Sequence, residues 1–233
     1  MRFDIATLFP EMCEAVLGES IVGRGRKNGC FELYCHQIRD YSNDKHRRVD
    51  DYPYGGGKGM VMQPQPIYSC YEDICAQAGS KPYVIYLSPQ GKCLTQKRCH
   101  ELAEMEHIML LCGHYEGVDE RVLEEIVDEE ISIGDYVLTG GELGAMVLVD
   151  SVSRLLPGVL ASEECFMEES LTDNLLEYPQ YTRPPVWKER EVPQVLLSGH
   201  HANIVKWRGE QRLQRTKNKR PDLLEKENSS HSE

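Results

Sequence analysis

Four glycines and a lysine fall within residues 52–60, YPYGGGKGM, directly after the charged run HRRVDD. Backbone amides of a glycine-rich loop and a nearby lysine are the usual parts of a phosphate cradle. The magnesium-dependent version reads GxxxxGK followed by Ser or Thr, whose hydroxyl binds the metal. Here Gly59 follows Lys58, and Gly55 stands too close to the lysine for that spacing. A dinucleotide fingerprint GxGxxG also fails, because Met60 occupies the sixth position from Gly55. A nucleotide phosphotransferase is therefore disfavoured. The residues describe a partly cationic loop rimmed by Tyr52 and Tyr54, suited to a large planar or anionic partner, or else a plain turn between two elements.

Three more turns have ligand-binding chemistry: YLSPQG at 86–91, CGHYEG at 112–117 and IGDYVLTGGE at 133–142. Each sits at the carboxyl end of a run that reads as a strand: YVIYLS and HIMLLC, apolar enough to be buried, and DEEISIG. In an α/β sheet, ligands bind beyond the carboxyl ends of the strands. Glycine permits close backbone approach, so main-chain groups could hold a ligand there. Taken singly, each turn is explained as a helix cap or tight turn; together they mark one site.

The positioning elements follow from periodicity. IATLF reads as a strand, PEMCEAVLG as a helix with Pro10 in its first turn, and FELYCHQI as a second strand. Residues 41–63 read as one long loop, then 64–78 as a helix. TQKRCHELAEM starts a helix with Thr95 as its cap, DERVLEEI is a short helix, and GELGAMVLVDSVSRLL is an apolar helix ending before Pro157 and Gly158. Strands alternating with helices predict a parallel sheet. Residues 161–177 hold six acids and no basic residue, the composition of a linker. Beyond them, SGHHANIVKWRGEQRLQR predicts a helix capped by Ser198, with Ile204, Val205, Trp207 and Leu213 as an apolar stripe and Trp207 in a core.

Composition bounds the partners. The nine cysteines are odd in number and never form CxxC, which fits reduced thiols in a cytoplasm better than disulfides or zinc. No apolar run is long enough to span a membrane, and the amino terminus shows no targeting segment. The net charge of −12 argues against nucleic acid until its distribution is considered. Residues 183–220 contain ten Lys or Arg against three Glu, whereas 101–130 contain eleven acids and one Arg. A basic segment on an acidic protein makes nucleic acid the leading partner.

The motifs VDDYPYGGGKGM, YLSPQG, CGHYEGVDERV, IGDYVLTGGE, DSVSRLLPGVL, YPQYTRPPVW and VLLSGHHANIVKWR, in this order, resemble the bacterial tRNA (guanine-N1)-methyltransferases that modify position 37. The resemblance covers residues 1 to about 224. It implies an α/β fold with a SPOUT-type parallel sheet and deep trefoil knot, plus a small C-terminal all-helical domain. The expected boundaries are a catalytic domain over 1–160, a flexible acidic linker over 161–177, and a tRNA-binding domain with a polar tail over 178–233. The resemblance also implies S-adenosylmethionine as methyl donor, a magnesium requirement for which no carboxylate cluster identifies ligands, a tRNA with G36 before G37, and a homodimer with active sites at the subunit interface.

Carried over residue by residue, the resemblance assigns donor binding to Tyr86, Leu87, Ser88, Pro89 and Gln90 in the first turn. In the second it assigns Gly113, Tyr115 and Glu116. In the third it assigns Ile133, Gly134, Asp135, Tyr136, Val137, Leu138, Gly140 and Gly141. Asp50, Gly55, Gly56 and Gly59 are expected to shape the guanine pocket, Lys58 to touch phosphate, and Arg183, His201 and Arg208 to meet tRNA. Guanine N1 carries a proton and is a poor nucleophile, so transfer needs a base for that proton and a cation near O6. The resemblance gives the cation as Arg154, which could equally be a helix C-terminal cation favoured by the dipole. Counting back from Tyr181-Thr182-Arg183-Pro184, the family's aspartate base is replaced by Glu169, a carboxylate longer by one methylene. Glu168 and Asp173 fit only with a shifted alignment. His114 stands where some relatives have arginine. A non-catalytic RNA-binding relative with a decayed site is the alternative.

Overall fold

The computed structural model describes residues 1–162, 169–171 and 173–224. Residues 163–168 and 172 of the expected linker, Glu168 among them, and 225–233 of the expected tail lie outside the described residues. The chain divides into two compact units, Met1–Ser162 and Glu163–Glu233.

The first unit is a five-stranded, wholly parallel sheet. Its strands are β1 (Arg2–Thr7), β2 (Glu32–Gln37), β5 (Tyr83–Cys93), β6 (His107–Cys112) and β7 (Glu129–Ser132), ordered β2-β1-β6-β5-β7. Alternate side chains of the central strands fill two cores. Phe3, Ile5, Ile108 and Leu110 face one side, where they pack with Cys13, Leu17, Leu102, Met146 and Val149. These come from helices α1 (Pro10–Leu17), α4 (Gln96–Ala103) and α6 (Glu142–Ser153), joined by Val22 of α2 (Ser20–Lys27). Ala6, Met109 and Leu111 face the other side, against Ile67, Cys70 and Ile74 of α3 (Pro64–Ala78) and Val122 and Ile126 of α5 (Glu120–Ile126). Truncating one such residue, Leu110 for example, to alanine costs about 2–5 kcal/mol.

Local signals explain the helix ends. Pro64 opens α3, and Gly79 closes it in the left-handed conformation, φ 71°. Thr95 caps α4 as expected, its hydroxyl accepting from the Arg98 N–H at 3.2 Å. Helix α2 has too weak an apolar pattern, SIVGRGRK, to stand out in sequence; it forms because Val22 is buried in the first core.

Two expectations for this unit change. Residues 41–63 are not one structureless loop: β3 (Asp50–Asp51) and β4 (Val61–Met62) pair antiparallel, so the glycine cluster is the tip of a hairpin. Two residues per strand are too few for a sequence period. The first donor turn does not follow a strand, because β5 continues through YLSPQG to Cys93 and shifts register against β7 between Leu87 and Lys92.

In the second unit, β8 (Val186–Trp187) and β9 (Arg190–Glu191) form a hairpin, followed by α7 (Gln194–Leu197) and α8 (His201–Lys219). The domain is therefore not all-helical. Lys188 and Glu189, at φ 49° and 62°, build the turn without the usual Asn or Gly, which is why it was not visible in sequence. Ser198 is not the α8 cap; it follows α7, and its hydroxyl accepts from the His200 N–H at 3.2 Å. Trp207 is half-buried, 6.4 Å from Tyr181 between ring centroids, while Val205 and Leu213 are exposed, so the expected stripe is only partly covered within this chain. Asp173 pairs with Arg212, and the Leu176 N–H donates to Thr216 Oγ1 at 2.9 Å, tying 173–176 to α8.

One buried charge sits in the first unit's sheet. Asp4, fully buried on β1, accepts from Arg2 at 2.6 and 2.9 Å and contacts His36 at 2.6 Å and His107 at 2.7 Å. Burial pushes its carboxyl up, but the bonds from Arg2, His107 and His36 outweigh this and hold it well below the ordinary value of 3.8. The folded pKa is depressed, so the stabilisation is complete above the unfolded value and is lost as pH falls through the folded one. Asp4→Asn is expected to lower unfolding stability by about 3 kcal/mol at pH 7 in urea titrations. The difference from the parent should shrink as the pH is taken below the ordinary carboxylate range.

Candidate active site

Strands β5, β6 and β7 are neighbours, and the chain reverses direction of travel across the sheet there: β6 lies inside β5, β7 outside. Crevices at such points bind ligands in open α/β sheets. A cavity of about 310 Å³ occupies this position, within the range for small-molecule sites. Every residue assigned to the donor lines it except Asp135, which is exposed beside it. The site also includes His114, noted above without a role, and residues that motif reading passed over: Gly117, Val118 and Thr139 in or beside the turns, Glu130 and Ser132 from β7, and Gly144 from α6. Gly144 could have been found in GGELG, where a third glycine follows the turn.

The second and third turns meet backbone to backbone, and the first packs on both β7 and the second turn. The Gly141 N–H donates to the Gly113 carbonyl at 2.9 Å, and a Cβ on Gly141 would lie 2.8 Å from Cys112 Cα. A Cβ on Gly113 would lie 2.8 Å from the Tyr86 hydroxyl. A Cβ on Gly91 would collide with the backbone of Glu130 and Ile131. Side chains trim the first and third turns: Ser88 Oγ accepts from the Gln90 N–H at 3.1 Å, and Ser132 Oγ from the Gly134 N–H at 3.1 Å. Burial, with Glu130 and Glu120 adding, raises the Tyr86 phenol above its ordinary value, so it presents an uncharged hydroxyl to the cavity.

The glycine hairpin is attached to the second turn. The Glu116 N–H donates to Met60 O at 3.0 Å, the Met62 N–H to Gly117 O at 2.9 Å, and the Asp119 N–H to Met62 O at 3.0 Å. Gly55, Gly56, Gly57 and Gly59 all have positive φ, from 80° to 137°. At Gly59 a Cβ would also run into the Glu116 side chain. Tyr54 is almost fully exposed, and Lys58 is exposed beside it. The loop therefore lies next to the cavity but inside an antiparallel hairpin, unlike the strand-to-helix arrangement of a phosphate loop. Asp50 opens the hairpin in β3, half-buried.

The remaining assigned residues fall elsewhere. Arg154 is the C-cap of α6. Glu169 is half-buried in the second unit, at the edge of the described residues. His201 opens α8, and Arg183 is exposed. The Arg208 guanidinium lies 4.5 Å from the Tyr178 ring centroid, so one of its faces is already engaged. Among the described residues no group of three or more His, Cys, Asp or Glu is placed to hold a metal. No helix among them is long and apolar enough to cross a membrane.

The family model described as tRNA (Guanine-1)-methyltransferase TrmD matches residues 1–226. A protein named tRNA (guanine-N(1)-)-methyltransferase from Ruminiclostridium cellulolyticum is 62% identical over 97% of this chain and 97% of its own length. Proteins of the same name from Lachnospira eligens and Clostridioides difficile are 57% and 55% identical, over 100% and 98% of this chain and 99% of each relative.

Gly141→Ala forces a methyl group into Cys112 and is expected to cost about 1–3 kcal/mol and to shrink the cavity. Gly209→Ala, in open space on α8, is expected to add about 0.5–1 kcal/mol instead. Thermal unfolding of the two variants checks the pair.

Proposed function

The chain belongs to the tRNA (guanine-1)-methyltransferase family, and from that premise we propose that it methylates N1 of guanosine 37 in tRNAs carrying G36 before G37. The observation that supports this most is the cavity lined by the 86–90 segment of β5 and by the turns that follow β6 and β7. Its backbone-built walls suit the adenosyl and methionine parts of S-adenosylmethionine, held by Tyr86 to Gln90, Gly113, Tyr115, Glu116 and the 133–141 turn. When bound, that donor supplies a methyl group on a sulfonium sulfur.

The chain's own residues do the rest. The hairpin of Asp50, Gly55, Gly56, Lys58 and Gly59 receives the guanine beside the second turn. Glu169 takes the N1 proton, and Arg154 stabilises the negative charge that grows on O6. Arg183, His201 and Arg208 meet the tRNA with the basic face of α8. The acidic stretch 161–177 links the two units, with 173–176 held to α8. The order β6-β5-β7, with residues 133–141 returning past Gly113 into α6, supports a deep trefoil knot.

A homodimer is part of the same reading. Met12 and Val16 of α1 and Leu143 and Val147 of α6 are 41–55% exposed, on helices that pack together, a face suited to a second copy. In that arrangement Glu169 of one protomer serves the cavity of the other. The eight free thiols of the described residues fit a reducing cytoplasm. Magnesium rests on the resemblance alone, and no step is assigned to it.

Glu169→Gln is expected to lower single-turnover methylation of a G36-G37 tRNA by about 10²–10⁴-fold while calorimetric affinity for S-adenosylmethionine stays near that of the parent. Glu169→Asp keeps the carboxylate and should remain well above Glu169→Gln. Near-normal turnover in Glu169→Gln would remove the glutamate from the mechanism.

A further inference from the structure

Glu116, Glu120 and Glu130 line the cavity, but one part of its wall, the start of α6, is unfavourable to a cation. Gly141, the N-cap of α6, and Gly144 in its first turn both line the cavity. The N-terminus of this twelve-residue helix carries about half an elementary positive charge and faces the ligand. A sulfonium donor would be repelled by it. The neutral thioether left after methyl transfer would not.

Glu142 stands between the two. It is the first residue of α6 and only 4% exposed. Its Oε1 accepts from Thr7 Oγ1 at 2.8 Å, a bond to a neutral hydroxyl. Among the described residues no lysine or arginine pairs with it. Its Oε2 lies against the bare Cα of Gly140, a cavity residue, where an added Cβ would collide with it. His114 Nδ1, buried and without a hydrogen-bond partner, lies 2.7 Å from the same Cβ position.

The charge is felt at the wall. Burial raises the Cys112 thiol well above its ordinary value, and Glu142 adds to the rise. Cys112 precedes Gly113, which lines the cavity. A carboxylate held out of water with a neutral hydroxyl as partner is costly to the fold, a cost that a positive charge arriving nearby would offset.

We propose that Glu142 is a counter-charge of the bound donor, beyond the carboxylates that line the cavity: it offsets the α6 dipole and adds to the preference for the cationic sulfonium over the neutral thioether product. This rests on reading the cavity as the S-adenosylmethionine site. The residue acts through the Gly140 wall and sets ligand selectivity.

The test is calorimetric titration of S-adenosylmethionine and S-adenosylhomocysteine into the parent, Glu142→Gln and Thr7→Val. Glutamine keeps an acceptor for Thr7, so only the charge is removed. The expected result is a fall of about tenfold in the ratio of donor to thioether affinity in Glu142→Gln. In Thr7→Val, which keeps the carboxylate, the ratio should stay within about twofold of the parent. If Glu142→Gln does not fold, Glu142→Met, of similar length and no charge, reads the same ratio. Equal weakening of both ligands in the uncharged variant overturns the counter-charge and leaves the donor site standing. A parent that binds neither ligand overturns the donor site itself, and the counter-charge with it.

Discussion

Three chain segments approach one another at the ends of β5, β6 and β7 more closely than side chains allow. Gly91 packs on the backbone of Glu130 and Ile131, Gly113 under Tyr86, and Gly141 against Cys112. Everything else in the first unit serves that contact. The parallel sheet sets the spacing of the three strand ends, the two cores hold the sheet rigid, and α6 enters directly from the last turn. Because six glycines are among the residues that line it, part of the cavity wall is backbone, with no side-chain freedom to be lost there on binding.

Two buried carboxylates are arranged in different ways around this framework. Asp4 is surrounded by Arg2, His36 and His107, and its charge is absorbed by the sheet. Glu142 has a hydroxyl for a partner and lies behind a cavity wall. The first pattern is that of a structural ion cluster, the second that of a charge available to something outside the protein fold.

Much of this was legible in the sequence. Helix α3 and the cap of α4 were readable to the residue, because Pro64, Gly79 and Thr95 act through local geometry. The cavity was readable because the Gly- and Pro-containing segments 86–91, 112–117 and 133–142 recur along one α/β pattern, although the first of them proved to lie within β5. What escaped depended on contacts between distant residues. The β3–β4 ladder involves two residues on each side, the turn at Lys188-Glu189 uses φ values those residues rarely adopt, and α2 owes its place to burial of Val22. Thr7 and Glu142 are 135 positions apart, so no local pattern could pair them.

The attachment of the glycine hairpin to the second turn has an evolutionary corollary. Residues 60 and 62 are bonded to 116, 117 and 119 in fixed alternation, and Met62 is fully buried. Adding or deleting one amino acid between 60 and 63 would turn that methionine outward and break the pairing. The exposed tip at 54–58 has no such constraint. Length variation among descendants of this gene should therefore collect at the tip and spare its stem.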